Sequence, residues 1–224
     1  MQTKNKIKLF IGFIISLFIF NTHIHAEEFN ITAKEITIDK ENEILIGKGS
    51  VEATDKDGKV IYADKITYEK SRNFLLAESK VRIKDNDGNI LISDKASFDK
   101  INNQIITYDK TEIILKEGYK LTTKNVHYNT KTKILASTDN STFKDAEGNV
   151  IETNMFQYTI KDNLFSSIGK IKIKDIKNNK YFFKELYVNT KDKEMIGSDV
   201  SVILDQNNFG LSKNFDPRFV ANDI

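Results

Sequence analysis

The chain of 224 residues contains no cysteine. Disulfide bonds are therefore excluded, and so is the lipid-modified N-terminal cysteine of a bacterial lipoprotein. Small secreted domains that bury little apolar surface usually depend on disulfides for their stability. A secreted domain with this sequence must instead be stabilised by a large set of buried apolar side chains.

Histidine is almost as scarce, and its distribution argues against a metal site. His23 and His25 lie in the N-terminal segment, which leaves His127 alone in the rest of the chain. A single histidine without cysteine cannot form a zinc site. The segments that begin at Asp55 and Asp85 resemble the opening of a calcium loop, but neither has the glutamate required at the twelfth position. We interpret both segments as hairpin turns and predict no metal ligands.

The sequence also lacks a recognisable catalytic arrangement. Serine and threonine are frequent, but none has the surroundings of an activated nucleophile. Paired carboxylates occur where turns and strand faces are charged, as expected for solvated surfaces. We therefore predict no catalytic residues and no cofactor, and we do not expect an enzyme.

The chain also has no large excess of positive or negative charge. The formal net charge is +2, which gives no strong reason to expect a nucleic acid or an acidic substrate as partner. Lysines near strand ends, such as Lys48, Lys80, Lys110 and Lys170, could bind phosphates or anionic head groups. Alternatively, these lysines only keep the protein soluble and protect its strand edges. The sequence leaves both alternatives open.

The first 26 residues have the composition of a secretory signal. Lys4, Lys6 and Lys8 precede an apolar run over residues 9–20, and a short polar segment then ends at Ala26. This pattern predicts cleavage after Ala26 and a mature chain outside the cytoplasm. An uncleaved membrane anchor is the alternative, although the apolar run is shorter than the ~20 residues of a spanning helix.

From about residue 30 to 208, the chain repeats itself every 30 residues in six ungapped copies. Such a fixed period indicates stacked units that share one continuous core. Five positions of the unit are apolar in nearly every copy. These columns begin at Ile31, Ile36, Ile38, Leu45 and Ala53 and recur at intervals of 30. A glycine column begins at Gly58 and changes to asparagine in the last two copies, which is typical of a turn that needs positive φ.

Each unit contains two segments that alternate apolar and polar residues with a period of two, which predicts β-strands. We expect about twelve antiparallel strands, with hairpin turns at Asp57-Gly58 and its equivalents. The apolar parity changes between Ala63 and Ile66, and such a change requires a bulge or a corner. A second bend is expected at a column of mostly small residues: Gly47, Ala77, Thr107, Ser137, Ser167 and Gly197. The pattern thus predicts a folded-over, two-layered sheet with an apolar interior and uncapped end strands.

These repeats resemble the OstA-like family, the periplasmic β-jellyroll shared by lipopolysaccharide-transport proteins A and C and the N-terminal part of protein D. The resemblance is strongest in Gly47-Lys48-Gly49-Ser50-Val51 and in residues 61–68, IYADKITY, with residues 91–96 as a second copy. It implies an all-β, folded-over antiparallel β-jellyroll (β-taco) built from six repeats of about 30 residues. The predicted organisation is a signal peptide over 1–26, the jellyroll over 27–208 and an irregular tail over 209–224.

The resemblance further implies an apolar groove that carries the acyl chains of lipid A. The side chains expected to line it are Ile36, Ile66, Tyr68, Leu75, Ile83, Phe98, Ile105, Ile113, Leu135, Phe143, Phe156, Tyr158 and Ile173. The implied partners are lipopolysaccharide and other transport jellyrolls that pair through edge strands, and then the outer-membrane barrel with its lipoprotein partner. Nucleic acid is not expected. The implied location is the periplasm, in association with the outer membrane.

The tail leaves the type of protein open. Asn214-Phe-Asp216-Pro217-Arg218 resembles the segment between jellyroll and barrel in protein D, and Pro217 is the only proline. The chain could be a stand-alone jellyroll of the protein A kind or the N-terminal part of a protein D. A structural or adhesive periplasmic solenoid with a filled core and no lipid ligand is the alternative function. Whether the interior is open along one side distinguishes the two.

Overall fold

The computed structural model describes residues 29–208 and 217–221, and these residues form one antiparallel sheet of 18 strands. The strands are β1 (Phe29–Thr32), β2 (Glu35–Asp39), β3 (Ile44–Asp55), β4 (Val60–Glu69), β5 (Phe74–Lys84), β6 (Ile90–Asp99), β7 (Gln104–Ile114), β8 (Lys120–Lys124), β9 (His127–Asn129), β10 (Ile134–Ser137), β11 (Ser141–Lys144), β12 (Val150–Thr153), β13 (Phe156–Thr159), β14 (Leu164–Lys174), β15 (Lys180–Asn189), β16 (Glu194–Ser198), β17 (Val200–Ile203) and β18 (Arg218–Ala221). Single 3₁₀ turns lie at Lys70–Arg72, Ile160–Asp162 and Gln206–Asn208. The prediction of an all-β, antiparallel fold is confirmed.

Every strand segment bends near its middle. In the long strands the bend is a shift in the pairing register, for example between Lys48 and Val51 of β3. In the other segments it divides one segment into two short strands, such as β1 and β2 or β8 and β9. The bends divide the sheet into two facing layers. Layer A contains the strand halves that adjoin turns such as 56–59, and layer B contains those that adjoin turns such as 70–73.

The bend confirms the change of parity read from the sequence, but not its expected position. In five of the strand segments that follow a layer B turn, the bend lies two residues beyond the column of mostly small residues. The bend positions are Gly49, Ser79, Asp109, Gly169 and Asp199. The backbone there has positive φ, between 50° and 116°, which glycine, aspartate and serine tolerate better than branched residues. Backbone conformation, not side-chain size, therefore sets the position.

Buried hydroxyl groups support the bend in the central repeats. The Thr123 and Ser141 hydroxyl oxygens lie 2.7 Å apart, and Ser141 Oγ donates to the carbonyl of Asp139 over 2.7 Å. Ser137 Oγ donates to the carbonyl of Lys124 over 2.7 Å. A bend interrupts the ladder of backbone hydrogen bonds, and these hydroxyls pair with the carbonyls that it releases.

The turns of layer A are tied to one another by aspartate and asparagine. Asp145 Oδ1 accepts hydrogen bonds from the backbone N–H groups of Glu147, Gly148 and Asn149 over 2.7–2.9 Å. Asn149 Oδ1 in turn accepts the N–H of Ile176 in the following turn. The segments that begin at Asp55 and Asp85 are hairpin turns of the same kind. In residues 29–208 and 217–221, no group of acidic or histidine side chains could hold a metal ion.

The core lies between the two layers. Ile66, Phe98, Ile113, Leu135 and Phe143 are all 5% exposed or less, as predicted from their columns. The first repeat differs because, among residues 29–208 and 217–221, no strand pairs with its outer side. Ile36 of β2 is on the inward parity, opposite Gly47, but 46% of it is exposed. The apolar interior is therefore open to solvent at the N-terminal end of the stack.

The C-terminal end departs from two sequence predictions. The sequence predicts an irregular tail over 209–224, but Arg218–Ala221 forms β18, which pairs with β17 and covers that edge of layer A. The rest of that tail except Pro217, and the predicted signal peptide over 1–26, lie outside the described residues. Pro217 immediately precedes this strand, a position where its missing N–H costs no ladder bond, and its carbonyl accepts the N–H of Leu204. In β17 the pairing also slips by one residue, so Val202 instead of Ile203 lies opposite Tyr181. Ile203 consequently faces outward.

Candidate functional site

The two layers meet along one side of the molecule, which we call the mouth. Each segment bends once and its two ends come together, so the turns of layer A lie opposite those of layer B. The bends form the closed opposite side. Lys80, Lys110 and Lys170 lie at the bends, and Lys48 lies just before one. These lysines are therefore remote from the mouth and do not form its rim.

A buried ion pair closes the N-terminal part of the mouth. Lys100 Nζ, from a layer B turn, lies 2.9 Å from Asp55 Oδ2 at the end of β3 in layer A. Lys59 Nζ lies 3.4 Å from the same oxygen, and the side chain of Asp55 is completely buried. Lys100 also lies over the ring of Phe29, which packs edge-on against Tyr68 at 5.2 Å between ring centroids.

This ion pair shifts the acidity of Asp55. Burial of the carboxylate raises its pKa, but the hydrogen bond from Lys100, the backbone N–H of Lys59 and the two lysine charges outweigh burial. The net effect lowers the pKa of Asp55 below its ordinary value. The carboxylate is therefore ionised at neutral pH and holds the two layers together.

A second set of contacts crosses the mouth nearer the C-terminal end. Tyr119 follows a layer A turn, and its hydroxyl donates to the carbonyl of Thr190 in layer B over 2.9 Å. Within layer B, the Tyr158 hydroxyl lies 3.1 Å from Thr190 Oγ1, so it supports the residue that Tyr119 contacts, and burial raises the pKa of Tyr158. Lys193 forms an ion pair with Glu147 across the same gap.

Beneath these contacts the interior is hollow. A cavity of about 540 Å³ lies between the layers in the last third of the stack, within the ~300–1,000 Å³ typical of ligand pockets. Its apolar wall consists of Tyr119, Phe143, Ile151, Ile173, Tyr181, Val188 and Met195. Its solvent-facing border carries charged side chains, among them Glu117, Glu147 and Lys193. An apolar wall below a charged border suits an amphiphile.

The interior in the middle of the stack is packed more closely. A space of about 50 Å³ lies there beside Ile83, Ile105, Ile113 and Leu135, and a cleft of about 450 Å³ with mainly polar walls lies at the mouth, between turns that carry Asp87 and Lys131. Ile66, Tyr68, Leu75 and Phe98 are also buried in this packed part. The interior therefore differs in width along the stack, although a strict period of 30 residues would favour a uniform width.

The structure thus brings only part of the predicted lining to the cavity. Phe143 and Ile173 line it, whereas Phe156 and Tyr158 are buried in the neighbouring core. Ile36 lies at the opposite end of the stack. Tyr119 was not among the predicted residues because it lies outside the apolar columns. It could have been found as an aromatic residue at a position where other repeats have Lys59, Asn89 or Asn149.

Comparison with known proteins gives one decisive result. The model of the OstA-like protein family matches residues 17–154, which is more than half of the chain. The chain belongs to the OstA-like family. No curated protein matches it.

One solved structure similar to this OstA-like chain is that of LptH from Pseudomonas aeruginosa, described as the LptA homologous periplasmic component of the lipopolysaccharide transport device. The similarity covers 89% of this chain and 100% of that one, at 8% sequence identity and a TM-score of 0.24. In the described part of the OstA-like chain, no helix is long and apolar enough to span a membrane.

Proposed function

We propose that this chain is a periplasmic component of lipopolysaccharide transport that holds lipid A acyl chains between its two layers. Its membership of the OstA-like family supports this function, and the apolar cavity is the observation that carries it. Burial of each CH₂ group contributes about 0.8 kcal/mol, so an acyl chain in the cavity gains substantial binding free energy. The phosphorylated head group remains outside the mouth.

Both ends of the stack suit edge-to-edge assembly with related jellyrolls. The outer edges of β1 and β2 have no partner strand among the described residues, since both strands pair with β3 alone. At the other end, β18 covers β17, whereas β16 pairs with β15 alone in the described chain. Unpaired edges are a hazard in a soluble protein unless another chain pairs with them. We infer that the partners are other transport jellyrolls and, beyond them, the outer-membrane barrel with its lipoprotein.

The tail resembles the segment that precedes the barrel in protein D, which favours a position near the outer membrane. The folded sheet, the cavity and the free strand edges fit a stand-alone jellyroll of the protein A kind equally well. A structural solenoid without lipid is the second candidate function, and the close packing around Ile83, Ile105, Ile113 and Leu135 favours it. The two functions differ in what Ile173 contacts in the cell.

Photocrosslinking from two adjacent positions tests the proposal. A photoreactive residue in place of Ile173 lies on the cavity wall, whereas one in place of Lys172 lies on the outer face of the same strand. We expect lipopolysaccharide to crosslink from position 173 and not from position 172. If position 173 gives no adduct where a transport homologue does, the chain is a structural solenoid.

A further inference from the structure

The outer faces of the two layers carry opposite charges. By strand register, and with the bend residues such as Lys110 and Lys124 left out, the outward side chains of layer A comprise eight basic and three acidic residues, a net charge of +5. Those of layer B comprise three basic and seven acidic residues, a net charge of −4. A formal charge of +2 for the whole chain conceals this difference. Each face therefore presents a distinct electrostatic surface.

Six of the layer A cations form one row across neighbouring strands, which we call the basic row. It consists of Lys84, Lys120, Lys144, Lys174, Lys180 and Arg218. The row runs along the stack for roughly 43 Å, given about 4.8 Å between the ten strands from β5 to β18. All six side chains are exposed.

Within the row, like charges lie directly opposite each other. Lys120 pairs with Lys144, and Lys174 pairs with Lys180, in the antiparallel register. Such cross-strand pairs destabilise a sheet. Lys120 is offset by Glu112 at 2.8 Å, but Lys144, Lys174 and Lys180 have no carboxylate within 4.0 Å in the described residues. The fold therefore concentrates positive charge here without balancing it.

The nearby acidic turns do not neutralise this surface. Asp85, Asp145 and Asp175 follow basic-row strands but occupy the inward parity. Their carboxylates accept hydrogen bonds from the backbone and asparagine side chains of their own turns. They consequently face the mouth, whereas the lysines face outward.

We propose that the basic row docks this chain on a membrane surface that carries anionic lipid head groups. Aliphatic side chains, among them Ile90, Ile114 and Val150, lie between cations of the row. A lipid interface accommodates charged and aliphatic groups together. A single-stranded nucleic acid would require an aromatic stacking platform, and this face has two widely separated aromatic residues, Tyr62 and Phe182.

Docking through the basic row would place the mouth at the membrane surface. The basic row occupies the last outward position before the layer A turns, so docking brings the mouth next to the head groups. This step rests on the proposed function, because an acyl chain could then pass sideways from the membrane into the cavity. The docking itself depends only on the charges of the outer face.

Vesicle flotation of the secreted chain tests the docking. The vesicles contain phosphatidylcholine alone or with about a third of phosphatidylglycerol, at low and at high salt. The test variant combines K144Q, K174Q and K180Q. The control variant combines K131Q, K161Q and K191Q, which removes the same charge from exposed layer B turns. Replacing the basic-row lysines also relieves repulsion, so this variant should fold at least as well as the parent.

We expect binding to anionic vesicles alone, and weaker binding at high salt. Each lysine near an anionic surface contributes about fivefold to binding, so the test variant should lose on the order of 100-fold and the control much less. Equal losses in both variants would overturn the proposal in favour of non-specific attraction. Absence of vesicle binding at low salt, or salt-sensitive self-association that the test variant abolishes, would also overturn it. If vesicle binding persists while no lipopolysaccharide is taken up, the docking surface stands and the proposed function fails.

Discussion

Lys100 and Asp55 are 45 residues apart in sequence, yet Lys100 Nζ lies 2.9 Å from Asp55 Oδ2 across the mouth. Asp55 ends β3 in layer A and Lys100 begins the turn after β6 in layer B, so the folding of the sheet brings them together. The side chain of Asp55 is fully buried and that of Lys100 is 19% exposed. Loss of the lysine would leave the buried carboxylate with one more distant cation, Lys59, and with the backbone N–H groups of Asp57 and Lys59.

We therefore expect Lys100→Ala to lower the free energy of unfolding by about 2 kcal/mol, because a buried charge loses its main partner. Lys131→Ala, at a turn of the same layer, should change it by less than about 0.5 kcal/mol. Urea denaturation of both variants measures the difference. A Lys100 variant as stable as the Lys131 variant would mean that the ion pair does not hold the layers together.

The same ion pair predicts how stability depends on pH. The pKa of Asp55 is lower in the folded protein than its ordinary value, and so is the pKa of Asp175. Their contribution is complete above the unfolded value of about 3.9 and is lost as the pH falls through the folded value. The free energy of unfolding should decrease below about pH 4, and less steeply in Lys100→Ala. Parallel pH profiles for the two proteins would contradict this assignment.

The apolar columns made the architecture predictable. Alternation with a period of two marks the strands and their inward faces, and the repeat of 30 residues marks where the turns recur. Local backbone effects escaped this pattern. Gly49 and Asp109 mark bends that depend on positive φ, and the slip at Val202 depends on a single residue. The cavity was not predicted because Tyr119 lies outside the apolar columns, and because Met195 is as apolar as its column equivalents and gives no sign of the space beside it.

Two adjacent residues test the assignment of inward and outward faces. Ile113 is 4% exposed between the layers, whereas Ile114 lies on the outer face opposite Lys120. Ile113→Asp should lower the free energy of unfolding by more than about 4 kcal/mol, because the carboxylate would be buried without a partner. Ile114→Asp should be tolerated, since it adds a negative charge beside a lysine. Thermal unfolding of both variants decides the matter, and similar losses would mean that the faces are assigned wrongly.

Filling the cavity should reduce lipid binding without loss of stability. Met195 lies at the cavity border and is 48% exposed, so a tryptophan there can extend into the space. We expect Met195→Trp to weaken lipopolysaccharide binding several-fold. Met155→Trp is a matched control, because Met155 is 41% exposed near the bends. Fluorescence titration with lipopolysaccharide measures both variants, and equal affinities would place the lipid outside this cavity.

The strand β18 should limit association at the C-terminal edge. It pairs with β17 through four residues, and its Phe219 and Val220 are 61% and 74% exposed. A strand with so little burial contributes little stability, so a chain that ends after Asn208 should still fold. That chain exposes the edge of β17 and should form dimers or longer assemblies at concentrations where the full chain forms fewer. Sedimentation velocity compares the two proteins.

Adding Val202→Asp to the shortened chain should restore the monomer, because it places a charge on the newly exposed edge strand. If the shortened chain associates no more than the full chain, β18 does not protect this edge.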